Sequence, residues 1–153
     1  MSLVIKRTPA DTDTATTLIH ELSAELGALY DSDGSASFTP ADVAIPRSGF
    51  VVAWLDELPV GCGAIRPTDN TKVAEIKRMY VREIARGKGI SRQILTALED
   101  IAKEYSYECI ILETGIYQTA AIALYEKAGY QRTACYGEYV DNPHSICYEK
   151  IVR

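Results

Sequence analysis

Clustered metal ligands are missing from this chain. It has four cysteines, at 62, 109, 135 and 147, none in a Cys-x-x-Cys pair, and two histidines, His20 and His144. A zinc site needs several such ligands at short spacing, so no metal is expected. Long apolar runs are missing too. None approaches the roughly 18 residues of a membrane span, and "MSLVIKRTP" lacks the apolar stretch and cleavage site of a signal peptide. Basic residues are in deficit, 16 against 21 acidic for a net charge of −5, which argues against a general nucleic-acid binder. These absences predict a cytoplasmic protein with reduced, mostly buried thiols and neither membrane nor nucleic acid as a partner.

What is present suits one domain. The 153 residues are 47% apolar and 24% charged, enough for a full hydrophobic core, and no repeat or linker divides residues 1–153. "LVIKRT" reads as a strand. Asp11 and Thr12 then offer caps for a helix with Leu18, Leu22, Leu26 and Leu29 on one face. "DSDGSASFTPAD" is a loop, with a short helix after Pro40. "SGFVVAWLD" and "LPVGCGAIRP" form a hairpin around "DELP", and "VAEIKRMYV" alternates as a third strand. Ile90, Ile94, Leu95, Leu98, Ile101 and Ala102 then follow helical spacing. "CIILET" is a β-branched run of the kind buried on both faces. "QTAAIALYEKAGY" is a helix ending at Gly129 in a left-handed C-cap. "QRTACY" and "SICYEKIV" are the closing strands. The pattern is a mixed α/β domain.

One segment departs from the acidic background. Residues 77–92 carry six basic residues and one acidic, whereas the rest of the chain has 10 basic and 20 acidic. Gly87 and Gly89 sit among these cations, immediately before the helix that starts near Ile90. A helix start presents unpaired N–H groups and a positive dipole end, and glycines remove the Cβ atoms that would keep an anion from the backbone. Two readings follow: a cradle for phosphates, or a plain glycine turn before a helix with a solvated charged face. The P-loop spacing is absent, since Arg82 stands where its first glycine would be. The dinucleotide fingerprint is absent as well, with Arg92 in place of its third glycine.

Arg86-Gly87-Lys88-Gly89-Ile90-Ser91 resembles the pyrophosphate motif of the GNAT N-acetyltransferase superfamily, Arg or Gln-x-x-Gly-x-Gly or Ala, with Ser91 in the last position. The preceding "AEIKRMYV" and the following "LYEKAGY" extend the resemblance over most of residues 50–133. It implies a single-domain GNAT fold: a mixed, mostly antiparallel sheet of about seven strands, flanked by about four helices and splayed between the fourth and fifth strands. It implies acetyl-CoA as donor and an amine as acceptor, with direct attack in a ternary complex; the alternative is a non-catalytic CoA-binding regulatory domain. The cofactor arm would pair with the backbone of Met79, Tyr80 and Val81, and an N–H near Met79 would polarise the thioester carbonyl. Arg86, Gly87, Lys88, Gly89, Ile90 and Ser91 would hold the phosphates. Tyr125 would protonate the departing thiolate, a role that a phenol of pKa about 10 can fill. Gln118 stands where the family often has an asparagine on the cofactor arm.

An attacking amine must also lose a proton. Glu75 is the first candidate base, on a face shared with Lys77 and Met79 by the strand period of two. Glu113, at a strand end, is the second. Tyr30, Tyr117 and the "DSDGSASF" loop match segments on the acceptor side of similar proteins. His20 and His144 read as surface histidines. The acidic balance favours a small cationic acceptor, and the protein is expected to be a monomer or a homodimer.

Overall fold

A computed structural model describes residues 2–153. Seven strands form one sheet in the order β1-β2-β3-β4-β5-β7-β6. They are β1 (Leu3–Arg7), β2 (Gly49–Leu55), β3 (Leu58–Pro67), β4 (Val73–Val81), β5 (Cys109–Gly115), β6 (Gln131–Thr133) and β7 (Ser145–Ile151). All neighbours are antiparallel except β4 and β5. Helix α1 (Asp13–Leu29) lies on one face, and α2 (Ile90–Glu104) and α3 (Thr119–Lys127) lie on the other. The expected element order holds. The helix after Pro40 is a four-residue 3-10 turn instead, Pro40–Val43, so the described residues hold three α-helices and not four. Strand β6 stops at Thr133, short of "ACY".

Local chemistry accounts for these elements. The Thr12 side chain accepts the Ala15 N–H at 3.3 Å and starts α1. The β2–β3 hairpin turns at Asp56 and Glu57, both at positive φ, the requirement of a two-residue turn that matches strand twist. Gly129, at φ +93°, ends α3, and the Tyr130 N–H reaches back to the Tyr125 carbonyl at 3.0 Å. Helix α2 packs its Ile94, Leu95 and Leu98 side chains fully against the sheet, each contributing about 1.5–3 kcal/mol. It can approach because β3 carries Gly61 and Gly63 beneath it. A Cβ on Gly61 would lie 2.7 Å from the Tyr80 carbonyl oxygen and 2.9 Å from Ile94 Cδ1. Strand β5 is buried on one face only, with Cys109, Ile111 and Glu113 half-exposed on the other.

Two features of the sheet position the site. First, β4 and β5 pair only from Val73↔Cys109 to Ile76↔Leu112 and then part. Beyond that point β4 stays paired with β3 as far as Val81, and β5 with β7 as far as Gly115. Second, β4 is bulged opposite Gly63, and Arg78 takes φ +56° there. The extra residue shifts the alternation. Glu75 and Lys77 face the α1 side, whereas Met79 and Val81 pack with α2. Met79 therefore does not share a face with Glu75, because the period of two is broken between them.

Cys135 and Cys147 are joined as a disulfide, with Cα atoms 5.1 Å apart. This corrects the expectation of four reduced thiols. Cys147 lies on β7 opposite Thr133, two residues before Cys135, so the chain's exit from β6 carries Cys135 to a cross-strand neighbour. Cys62 and Cys109 are free, and burial raises both thiol pKa values, that of Cys62 to about 12. Among the described residues no helix is long and apolar enough to cross a membrane.

Candidate active site

The parting of β4 and β5 opens a cavity of about 760 Å³. Its walls are the C-terminal half of α1 with the loop that follows, β4 from Ile76, the loop before α2, the end of β5, the start of α3 and the segment before β7. Residues expected at distant points of the chain meet here: Met79, Tyr80, Val81, Arg86, Gly87, Gly89, Ile90, Ser91, Gln118, Tyr125 and Glu113. Lys88 is exposed beside the cavity and outside its lining.

The main chain of β4 offers the gap an edge that no strand covers, on which the Val81 carbonyl accepts from the Arg86 side chain. The Arg82 N–H bonds the Val60 carbonyl at 2.7 Å, on the β3 side. By strand alternation the N–H and C=O groups of Met79 and Val81 then face away from β3, toward the parted β5. Past β4, Gly87 and Gly89 adopt φ +78° and +76°, and nothing lies within 4 Å of a Cβ at either position. This backbone is strained for other residues and open to an approaching group. Gly89 is the N-cap of α2 without a side-chain cap, so the first N–H groups of the helix are available to a ligand.

The cations of this segment divide. Arg82 makes a two-pronged ion pair with Glu21, at 2.8 and 2.7 Å, and supports α1 against β4. Arg86 bonds the Val81 carbonyl at 2.8 Å and Glu25 at 2.6 Å, remaining exposed at the cavity edge. Gln118 closes the other rim: its side-chain oxygen accepts the Gly115 N–H at 3.0 Å and lies 3.5 Å from the Tyr30 hydroxyl.

Tyr125 is 4% exposed, its ring 5.8 Å from that of Tyr130 and 6.2 Å from that of Tyr148. Its hydroxyl makes no protein hydrogen bond among the described residues, and the side chain lines the cavity. Burial, reinforced by the Glu113 charge, pushes its pKa up and keeps it in the proton-bearing form.

The two candidate bases separate. Glu75 is buried and off the cavity lining. One of its oxygens is taken by Arg66 at 2.8–2.9 Å, the other by the Tyr136 hydroxyl at 2.7 Å. Arg66 goes on to Asp42 at 2.7 Å, so Glu75 belongs to a buried network that ties β3 and β4 to the 3-10 turn. The alternation placed Glu75 beside Lys77 as expected but could not reveal the bulge that turns Met79 away or these partners. Glu113 lines the cavity where β5 leaves β4 and accepts a hydrogen bond from Ser145 Oγ at 2.7 Å. Burial raises its pKa against the opposing effects of Ser145 and Lys77.

The far wall holds residues the sequence did not connect. Lys77 donates to the Tyr139 hydroxyl, and Glu138 and Tyr139 line the cavity from a 3-10 turn at Gly137–Tyr139. His144 is no surface histidine. It forms an aromatic trio with Tyr30 and Tyr117, ring centres 5.4–5.7 Å apart, and all three line the cavity as Tyr30 and Tyr117 were expected to. The trio depends on the return of the β7 approach across the end of β5, where the Ile116 N–H bonds the His144 carbonyl at 2.9 Å. His20 is exposed, as expected. No group of three or more metal-ligating side chains occurs among the described residues.

Comparison with known proteins places this geometry in context. The model of the Acetyltransferase (GNAT) family matches residues 16–130. A protein named IAA acetyltransferase from Azospirillum brasilense is 38% identical over 138 residues, 90% of this chain and 90% of its own. A Klebsiella pneumoniae crystal structure assigned to the acyl-CoA N-acyltransferases superposes with a TM-score of 0.83 at 29% identity, covering 99% of this chain and 98% of that one. A GNAT family acetyltransferase from Elizabethkingia anophelis, solved with acetyl-CoA bound, has a TM-score of 0.70 over 97% of each chain; at 21% identity it bears on the fold alone.

Proposed function

This chain belongs to the GNAT acetyltransferase family, and from that premise we propose that it moves the acetyl group of acetyl-CoA to a primary amine by direct attack within a ternary complex. The observation that carries the reading is the gap between β4 and β5, which has a free strand edge along one side, a glycine-lined helix start at one end and ionisable groups at the other.

The residues fit the donor. Met79 and the Val81 N–H offer main-chain groups to an amide-bearing arm, whereas Tyr80, between them, turns its side chain to α1 and its main chain to β3. The N–H groups from Gly87 to Ser91 receive the pyrophosphate at the positive end of α2, with Arg86 and Lys88 as flanking cations. Gln118 closes the rim beside the arm. When bound, acetyl-CoA supplies an activated thioester carbonyl. The Met79 N–H, facing the gap, stabilises the charge that develops on that carbonyl oxygen.

Glu113 takes the proton of the acceptor ammonium. Its place on the cavity wall and its raised pKa, closer to neutrality than an ordinary carboxylate, support it over Glu75. Tyr125 gives its proton to the departing sulfur as the new N–C bond replaces the C–S bond, and its partner-free hydroxyl supports that role. The test is release of free CoA thiol with a panel of primary amines, after CoA binding is measured as a rise in Tm. CoA at 100 times its Kd should stabilise the fold by about 2.7 kcal/mol. No rise at millimolar CoA, or no thiol release with any amine, overturns the reading.

A further inference from the structure

The cavity contains two cations without a carboxylate partner. The β4 bulge turns the consecutive Lys77 and Arg78 to the same side of the sheet, and both line the cavity. The Lys77 ammonium meets only the Tyr139 hydroxyl and lies over its ring at 5.0 Å. Arg78 is 7% exposed and bonds the Ile19 carbonyl at 3.0 Å and the Ser23 hydroxyl, while its buried Nε has no partner. Glu75, Glu113 and Glu138 act on Lys77, and Asp33 on Arg78, only at longer range; none comes within 4 Å. The other arginines in this region, Arg66, Arg82 and Arg86, each hold a carboxylate at 2.6–2.8 Å. A desolvated cation left without an anion is costly, and proteins normally supply one. Across the gap stand the acids Glu113 and Glu138. The chain's overall negative charge points to a purely cationic acceptor; the local charges do not, since such an acceptor would lie against Lys77 and Arg78.

We infer that the acceptor is an amine that also carries a carboxylate, of the α-amino acid class, with the carboxylate held by Lys77 in the positive field of Arg78 and the ammonium directed to Glu113. The inference rests on the acetyl-transfer reading above and names its substrate class. The Lys77 ammonium supplies the donor, and Arg78, the next residue of β4, adds a second positive charge behind it, with its buried Nε left without an anion. Amino acids thus match both signs of the cavity, and polyamines match one.

The test compares each proteinogenic amino acid with its own amide, which keeps the ammonium and loses the carboxylate. CoA binding is first established by thermal shift. In the thiol-release assay the preferred amino acid should exceed its amide by about 10-fold or more in kcat/KM, the scale of one charge-assisted bond. Lys77→Met should shrink that ratio mainly through acceptor KM with the CoA-induced shift kept, and Lys77→Arg should restore most of it. If no acceptor turns over, calorimetry of the same pairs on the CoA-loaded protein decides: tighter binding of the amino acid, lost in Lys77→Met, upholds the inference. Amides bound or turned over as well as amino acids, no binding of either, or a ratio unmoved by Lys77→Met overturns it. With CoA binding intact, those failures strike the acceptor class alone; absent CoA binding strikes the acetyl-transfer reading itself.

Discussion

Replacing Tyr125 by phenylalanine removes one hydroxyl and nothing else. The ring keeps its place among Tyr130 and Tyr148, at 5.8 and 6.2 Å, and no protein hydrogen bond is lost because the hydroxyl has none. Folding stability should therefore change by less than about 0.5 kcal/mol, a Tm shift within about 2 °C for a chain of this size. The chemical step should suffer far more. A positioned acid is worth at least about 100-fold, or about 2.7 kcal/mol of barrier. The measurement is a single-turnover rate, which keeps slow product release from masking the chemistry, paired with CoA affinity by calorimetry. We expect a loss of about 100-fold or more in rate and less than about threefold in affinity. A rate within about threefold of wild type, or an equal loss of CoA affinity, refutes the assignment of Tyr125 as the acid.

Outcomes at four further sites are expected. Burial raises the Glu113 pKa, so wild-type kcat/KM should fall as pH drops through a value above the ordinary 4.3 or so of a glutamate, and Glu113→Gln should lose that limb. The same raised pKa means that folding favours the neutral carboxyl: its contribution is complete below the unfolded-state value and is lost as pH rises through the folded one, so thermal denaturation should find Glu113→Gln more stable than wild type above that window. Glu75→Gln should keep the pH limb yet lower the unfolding free energy from urea denaturation by about 2–3 kcal/mol, since Arg66 would retain only Asp42 as a charged partner. Gly61→Ala should cost about 1–3 kcal/mol in the same assay, because its Cβ would meet the Tyr80 carbonyl oxygen at 2.7 Å. Alkylation of the denatured, unreduced protein should label Cys62 and Cys109 alone, and prior reduction should expose Cys135 and Cys147 as well.

The sequence is most legible where chemistry is local. Two glycines at positive φ before a helix, the cap at Thr12, the C-cap at Gly129 and the seven strands all follow from short-range patterns. What it hides is set by distant pairing. Glu75 and Glu113 look equivalent as strand carboxylates, and only the packing of Arg66 and Tyr136 on one and the open cavity beside the other separate them. His144 reads as a turn residue until the β7 approach carries it to Tyr30 and Tyr117, which lie 114 and 27 positions earlier in the chain. The Cys135–Cys147 bond depends in the same way on β6 lying beside β7. The bulge left one readable trace, the consecutive cations Lys77 and Arg78 that interrupt the alternation of "VAEIKRMYV".

That bulge has a consequence for how the protein can change over evolutionary time. Before it, β4 lines the cavity with side chains; after it, the strand turns to the gap main-chain groups that every residue possesses. On the reading proposed above, substitutions at Lys77 can therefore retune what is modified without touching the atoms offered to the donor, and substitutions at Met79 or Val81 leave those atoms in place as long as the packing on α2 survives. One strand thus carries an address written in the main chain and one written in side chains, in series.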